Sequence, residues 1–386
     1  MTQRDLFLAR AAASALFFGN GFGIGTWAAQ LPRFKVALGL SDGQLSLGLL
    51  AFSLGAVALM PVIGWAVAVV GSRTMTLIAA FSFAAALLLP GFAPSLGLFV
   101  VASLVAGACN GTMDIAMNTN ATVVEKAWGS AIMSSFHAFF SLGGLAGAAV
   151  SGLLISLDVG IAPTLLLSCS GMGLLFLLAA FWTMGETDRT TEGHGFAWPR
   201  GAVILLAVLA MFCFIVEGAI VDWSAIYLQT VAGASLEAAV IGFAAFSLAM
   251  TICRFMGDFV VRHLGRVRTI QLGGLLSAFG LALAMLLPHP VPASIGFALV
   301  GVGLANTVPV LFSTAGQMDG IPPSMGVAMV ATLGYGGLLL GPPLIGFGGE
   351  LLSLRAMLGL LIGFAFIIIV MSQRALQRST VQFSST

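Results

Sequence analysis

Leu96–Asn120 reads LGLFVVASLVAGACNGTMDIAMNTN. Its first half is apolar and small. Its second half, from Gly107, sets one carboxylate and several amides in the same apolar context. On a helix, Asn110, Asp114 and Asn118 fall at i, i+4 and i+8 and share a face. Gly107 and Gly111 lie close to that face and leave room for a neighbouring backbone. The stretch meets the roughly 20 apolar residues that a membrane span needs. A carboxylate inside a span costs roughly 2.5–3.5 kcal/mol even on insertion scales. Such a group is turned to a water-filled cavity and used there, or is satisfied by a neighbouring helix.

The rest of the chain belongs with this stretch. Of 386 residues, 59 % are hydrophobic and 8 % charged, and the mean hydropathy of +1.08 excludes a soluble globular protein. Charges and prolines divide the sequence into twelve expected spans, near 9–32, 45–70, 74–93, 96–120, 131–157, 161–184, 203–229, 236–261, 268–288, 291–317, 325–349 and 354–373. The first apolar run, Ala11 to Leu31, is too long for a signal peptide and reads as an uncleaved span. A net charge of +1 offers no basic field to nucleic acid. Cys109, Cys169, Cys213 and Cys253 sit in apolar runs without a CxxC pair, as small core residues do.

Between spans, the one long polar stretch is GETDRTTEGHGFAWPR, residues 185–200. It predicts two six-helix bundles, 1–184 and 203–386, joined by a linker at 185–202. Eleven of the fifteen Lys and Arg residues fall on the side of that linker, Arg73 among them, against Arg33, Lys35 and Arg355 opposite and Arg254 within span 8. The positive-inside rule then makes the linker and both termini cytoplasmic. The halves repeat: Ala51-Phe-Ser-Leu54 returns as Ala245-Phe-Ser-Leu248, 194 residues on, and Gly71/Gly265 and Gly107/Gly301 share that offset. Duplicated six-span halves related by an axis along the membrane normal are a transporter architecture.

Several motifs in order carry a family likeness: Gly25-Thr-Trp-Ala28 with Leu31-Pro32, Leu38-Gly-Leu-Ser-Asp42, Asp114-Ile-Ala-Met-Asn118, Met133-Ser-Ser-Phe-His137, Glu217-Gly with Asp222-Trp223, and Gly341-Pro-Pro-Leu-Ile-Gly346. Over its whole length the chain resembles the major facilitator superfamily, and within it the fucose-permease-like branch of bacterial inner-membrane proteins. The resemblance implies an all-α membrane protein of twelve helices in two bundles with pseudo-twofold symmetry, with spans 1, 4, 7 and 10 lining a central cavity. In proton-coupled fucose permeases a span-4 glutamate opens a Glu-x-Ala-x-Asn stretch and serves coupling. Asp114 takes that position, with Ala116 and Asn118 matching. The permease's span-1 aspartate is Ala28 here, so coupling needs another second group or is absent. The span 2–3 signature survives as Gly64, Gly71 and Arg73, with Ala68 in place of its aspartate. The second copy keeps Gly257-Asp258, Arg262 and Gly265-Arg266. The Gly-Pro pattern of antiporters is missing from span 5, which argues against a drug antiporter.

The expected coupling residues are Asp114, Glu217 near the middle of span 7, and His137 in span 5 at a depth similar to Asp114's. For Glu217 a structural hydrogen-bond acceptor is the competing reading, and for His137 a bond to a neighbouring helix. Expected solute ligands are Asn20, Trp27, Gln30, Asn110, Asn118, Tyr227 and Asn306, with Thr26 and Tyr335 beside them. Amides and aromatic faces suit a neutral polyhydroxylated ligand. Arg254, Asp258 and Arg262 share one face of span 8 and, with Arg73, are expected to gate. Small-residue spacings in spans 5 and 11 (Gly143, Gly147, Gly152; Gly337, Gly341, Gly346) predict close helix packing.

The leading expectation is a monomeric secondary transporter for a sugar or polyol, working by alternating access with proton symport. An exporter of amphipathic compounds by proton antiport and a non-transporting membrane sensor are the alternatives. No metal-ligand spacing, nucleotide-binding glycine loop or Ser/His/Asp set is recognisable, so no enzyme, cofactor or metal is expected. The expected partners are the solute, protons and the bilayer.

Overall fold

A computed structural model describes residues 2–40, 42–185 and 201–381. The predicted linker lies largely outside the described residues, at 186–200. The helices are α1 (Gln3–Ala37), α2 (Asp42–Ala58), α3 (Met60–Val70), α4 (Ser72–Ala86), α5 (Leu96–Trp128), α6 (Met133–Ser156) and α7 (Ile161–Ala180). Then follow α8 (Ala202–Thr230), α9 (Leu236–Leu264), α10 (Arg266–Leu286), α11 (Pro290–Leu304), α12 (Thr307–Ala315), α13 (Pro323–Leu351) and α14 (Leu354–Val381). Among the described residues, eleven helical stretches are long and apolar enough to cross a membrane. A twelfth is the pair α2 and α3, bent by 49°. Pro61, near the start of α3, carries no N–H for the carbonyl four residues back, and the helix breaks there.

Two compact units divide the chain. Unit 1 holds Met1–Ser130, Phe136–Ala197 and Pro322–Ala328; unit 2 holds Ala131–Ser135, Trp198–Ile321 and Met329–Thr386.

Within each unit, glycine sets the helix spacing. In unit 1 a Cβ on Gly107 would strike the carbonyl of Phe52, and one on Gly111 that of Ala56, so α5 lies against α2 backbone to backbone. α1 and α6 interlock the same way: Gly21 and Gly25 abut the carbonyls of Phe140 and Gly144, and Gly143 and Gly147 those of Phe18 and Phe22. Gly152, predicted to belong to this series, has nothing within 4 Å of its Cβ position. In unit 2, Gly301 abuts the carbonyl of Phe246. Gly107 and Phe52 in one unit, Gly301 and Phe246 in the other, are pairs 194 residues apart. The repeat seen in the sequence is therefore a repeat of one helix contact.

Ser95 caps α5, its hydroxyl accepting from the Leu98 amide at 3.5 Å. Gly129 ends the helix in the left-handed region at φ 76°, which a residue with a Cβ adopts only at a cost.

Candidate functional site

The strongest polar cluster of unit 1 is built on α5. Asp114 and Asn118 are one turn apart, and both are buried. Asn118 Nδ2 donates to the Asp114 carbonyl at 2.9 Å and to its Oδ1 at 3.2 Å. That places Asn118 Oδ1 toward α6, where it lies 3.1 Å from His137 Nε2. An amide oxygen only accepts, so His137 Nε2 carries the hydrogen. The imidazole also meets the edge of Phe17 from α1, ring centroids 5.3 Å apart. The depth match predicted between Asp114 and His137 is thus filled by an amide. An amide holds both neighbours in place but does not pass a proton readily between them.

One turn earlier on α5, Asn110 Oδ1 accepts from Asn20 Nδ2 of α1 at 2.9 Å. Asn20 is buried and Asn110 half-buried. The remaining span-1 candidates are differently placed. Trp27 is 5 % exposed. It stacks on Phe52 at 5.1 Å and Phe99 at 6.0 Å, with Phe34 at 5.6 Å, and so belongs to the aromatic core of unit 1. Gln30 is wholly buried and accepts from Arg33 Nη1 at 3.2 Å, while Arg33 Nη2 donates to the Val159 carbonyl at 2.8 Å. Arg73 donates to the Ala180 carbonyl at 3.2 Å and ties α4 to the end of α7.

Unit 2 carries Glu217, half-buried on α8, and here the structure adds a partner. Glu217 Oε1 of α8 lies 3.6 Å from Arg254 Nη2 of α9. Arg254 Nε also approaches the Ala305 carbonyl, at 3.4 Å. That carbonyl is available for a chemical reason. Its helical partner is the amide of residue 309, and Pro309 has no N–H. The span breaks at this point into α11 and α12, and a buried cation covers the freed oxygen, as apolar surroundings require. A proline four residues after Ala305 was the available sequence signal.

Tyr227 and Asn306, expected to line a solute site, are engaged inside unit 2. The Tyr227 hydroxyl donates to the Ala284 carbonyl at 2.7 Å. Asn306 Nδ2 donates to the Cys253 carbonyl at 3.4 Å, and its Oδ1 packs where a Cβ on Gly257 would stand. Tyr335 stacks on Phe214 at 4.8 Å.

The predicted gating face of α9 does not act as one ladder. Arg254 turns to Glu217, whereas Asp258 and Arg262 hold residues 131–135, the turn entering α6, which unit 2 contains. Asp258 Oδ1 accepts the Ser135 amide at 3.1 Å, and Arg262 Nη1 donates to the Ala131 carbonyl at 3.4 Å. First-turn amides of a helix lack intrahelical partners and favour a carboxylate. Ser135 gave no sign of this in the sequence, because its contribution is a backbone N–H.

Comparison with known proteins agrees with this architecture. Residues 13–320 match the family model described as Major Facilitator Superfamily. An uncharacterised MFS-type transporter of Yersinia pestis is 37 % identical over 94 % of this chain and 94 % of its own length. The crystal structure of FucP, a Major Facilitator Superfamily transporter in the outward conformation, superposes with a TM-score of 0.79 at 17 % identity, over 96 % of this chain and 99 % of that one. A structure of the N162A variant of the E. coli fucose:proton symporter FucP gives 0.78 at 17 % identity, over 95 % and 98 % of the two chains. The chain is a member of the Major Facilitator Superfamily, a multi-pass membrane transporter with that family's all-α, twelve-helix fold.

Proposed function

We propose that this protein carries a small, neutral, hydrophilic solute, a sugar or polyol, by alternating access with proton symport. The observation that carries the reading is the buried Asp114–Asn118–His137 cluster. An intramembrane carboxylate that accepts from the Asn118 amide is a group whose protonation can be tied to the binding of something else. Asn110, half-buried one turn before Asp114 and bonded to Asn20, adds amide groups of the kind that hydroxyls bind. A neutral solute fits the described site residues, since the deep cation Arg254 already faces Glu217 and a backbone carbonyl. The fold neighbour named a fucose:proton symporter supports the same class.

Asp114 is the proton-binding group in this scheme. Glu217, beside Arg254, is a fixed countercharge, and His137 positions Asn118. Asp258 and Arg262 serve as a gate by holding and releasing the turn before α6. The protein resides in a bacterial inner membrane with both termini cytoplasmic, as its bacterial relative and the Lys/Arg distribution suggest.

The test is transport by the purified protein in proteoliposomes, with a panel of sugars and polyols, with and without an imposed pH gradient. Accumulation of one neutral solute, driven by an inward proton gradient, is the expected result. Gradient-driven uptake of amphipathic cations in exchange for protons, with no sugar or polyol moved, would replace the reading with an exporter.

A further inference from the structure

Phe212 of α8 and Phe366, Ile367, Val370 and Met371 of α14 line an open groove of about 520 Å³ on the surface of unit 2. Its wall is apolar throughout, and Phe366 and Val370 are 51 % and 67 % exposed. Water does not occupy an apolar recess, so in a bilayer a hydrocarbon chain fills this one.

Arg374 stands one turn beyond the groove, toward the C-terminus of α14. Ile367, Met371 and Arg374 recur at the four- and three-residue steps that keep to one helix face. Arg374 therefore continues the face that lines the groove. It is exposed, and among the described residues nothing pairs with it. Other cations of unit 2 are engaged: Arg254 by Glu217, Arg262 by Ala131, Arg266 by Gln317 and Arg355 by Met285. No acid offsets Arg374 locally. α10, α12, α14 and the part of α8 before Glu217 contain no Asp or Glu. Gln373, beside it, is also exposed and adds an amide donor.

The spacing suits a lipid. Arg374 is three to eight residues past the α14 residues of the groove, or about 4–12 Å at 1.5 Å per residue. That fits inside one leaflet, half of the roughly 30 Å hydrocarbon core. A phosphate at Arg374 thus leaves the attached acyl chain at the level of the groove.

We propose that the groove and Arg374 together bind one anionic phospholipid. Its acyl chain lies against Phe212, Phe366 and Val370, and its phosphate accepts from the Arg374 guanidinium. Basic pockets between transmembrane helices take anionic headgroups, and a guanidinium meets phosphate oxygens in pairs. The site is formed by unit 2 alone and uses none of the residues assigned above to coupling or gating.

The test is native mass spectrometry of the full-length protein in detergent, titrated with phosphatidylglycerol or with phosphatidylcholine of the same chains. The protein should retain one phosphatidylglycerol about fivefold more tightly than phosphatidylcholine, the worth of one basic residue near an anionic surface. Arg374→Gln should abolish the preference, and Arg268→Gln, on α10, should leave it intact. Val370→Trp, which fills the groove and keeps Arg374, should lose the retained lipid. Both Arg374 and Val370 are exposed, so neither variant disturbs the core. Equal retention of the two lipids would overturn the site, as ordinary boundary lipid gives that result. Loss of the preference in Arg268→Gln as well would show diffuse attraction to positive charge and overturn it too. So would unchanged retention by Val370→Trp, or a dimer that Val370→Trp dissociates, which would assign the groove to a second copy of the chain.

Discussion

Asn118 Nδ2 lies 3.2 Å from Asp114 Oδ1, one helical turn away, so the carboxylate at the centre of α5 is held by an amide of its own helix. Replacing Asp114 by Asn keeps the shape and an accepting oxygen but removes ionisation. The Asp114→Asn protein should bind solute and catalyse solute exchange, because exchange need not return an empty, deprotonated carrier. It should lose accumulation driven by a pH gradient. Parallel exchange and gradient-driven assays on one preparation check this. Full accumulation by the variant would refute the coupling role, and joint loss of both activities would mark Asp114 as structural.

His137 is predicted to position Asn118 and not to relay protons. His137→Gln retains an N–H at the reach of Nε2 and should keep most of the gradient-driven accumulation. His137→Ala leaves Asn118 Oδ1 without this donor and should lower accumulation about 5- to 10-fold, in line with one hydrogen bond. A relay would fail equally in both variants.

Glu217 and Arg254 should behave as a pair. Removing either charge strands the other in a poorly solvated place, at a cost of about 3 kcal/mol. Arg254→Gln should be the worse of the two, because it also uncovers the Ala305 carbonyl. The double variant Glu217→Gln/Arg254→Gln should recover part of the loss in melting temperature. Additive losses in the double variant would show that the two side chains are independent.

The glycines of α6 are not equivalent. A Cβ added at Gly147 meets the Phe22 backbone, whereas one added at Gly152 meets nothing within 4 Å. Gly147→Val should abolish the monodisperse peak in detergent, and Gly152→Val should leave yield and melting temperature nearly unchanged.

Asp258→Asn weakens the hold on the Ser135 amide without touching the proposed solute residues. Transport rate and the balance between inward- and outward-facing states should change, with solute affinity within about threefold, the worth of ~0.7 kcal/mol. Accessibility of engineered cysteines on the two membrane faces reports the balance. Loss of binding at equilibrium would rule out a gating role.

The sequence by itself determined the helices, because each rests on local chemistry. Apolar run length marks a span, but the bend at Pro61, the break before Pro309 and the end of α5 at Gly129 are not in the expected spans 45–70, 291–317 and 96–120. It also carried the internal repeat, since duplicated halves keep their glycines where helices touch: Gly107 against Phe52 and Gly301 against Phe246. Within the candidate site, spacing placed Asn110, Asp114 and Asn118 on one face, and that face holds together. Only the tertiary structure decided the partners across helices. Helical periodicity states which residues share a face, but the helix opposite is chosen by packing of the whole unit. Arg254 therefore faces Glu217 while Asp258, one turn along, faces Ser135. Trp27 looked like a stacking platform and is core, because three phenylalanines from α1, α2 and α5 converge on it. Tyr227 and Asn306 looked free to bind solute, yet backbone carbonyls on α10 and α9 accept from them. Those acceptors are main-chain atoms present in every residue, so nothing in the sequence could single them out.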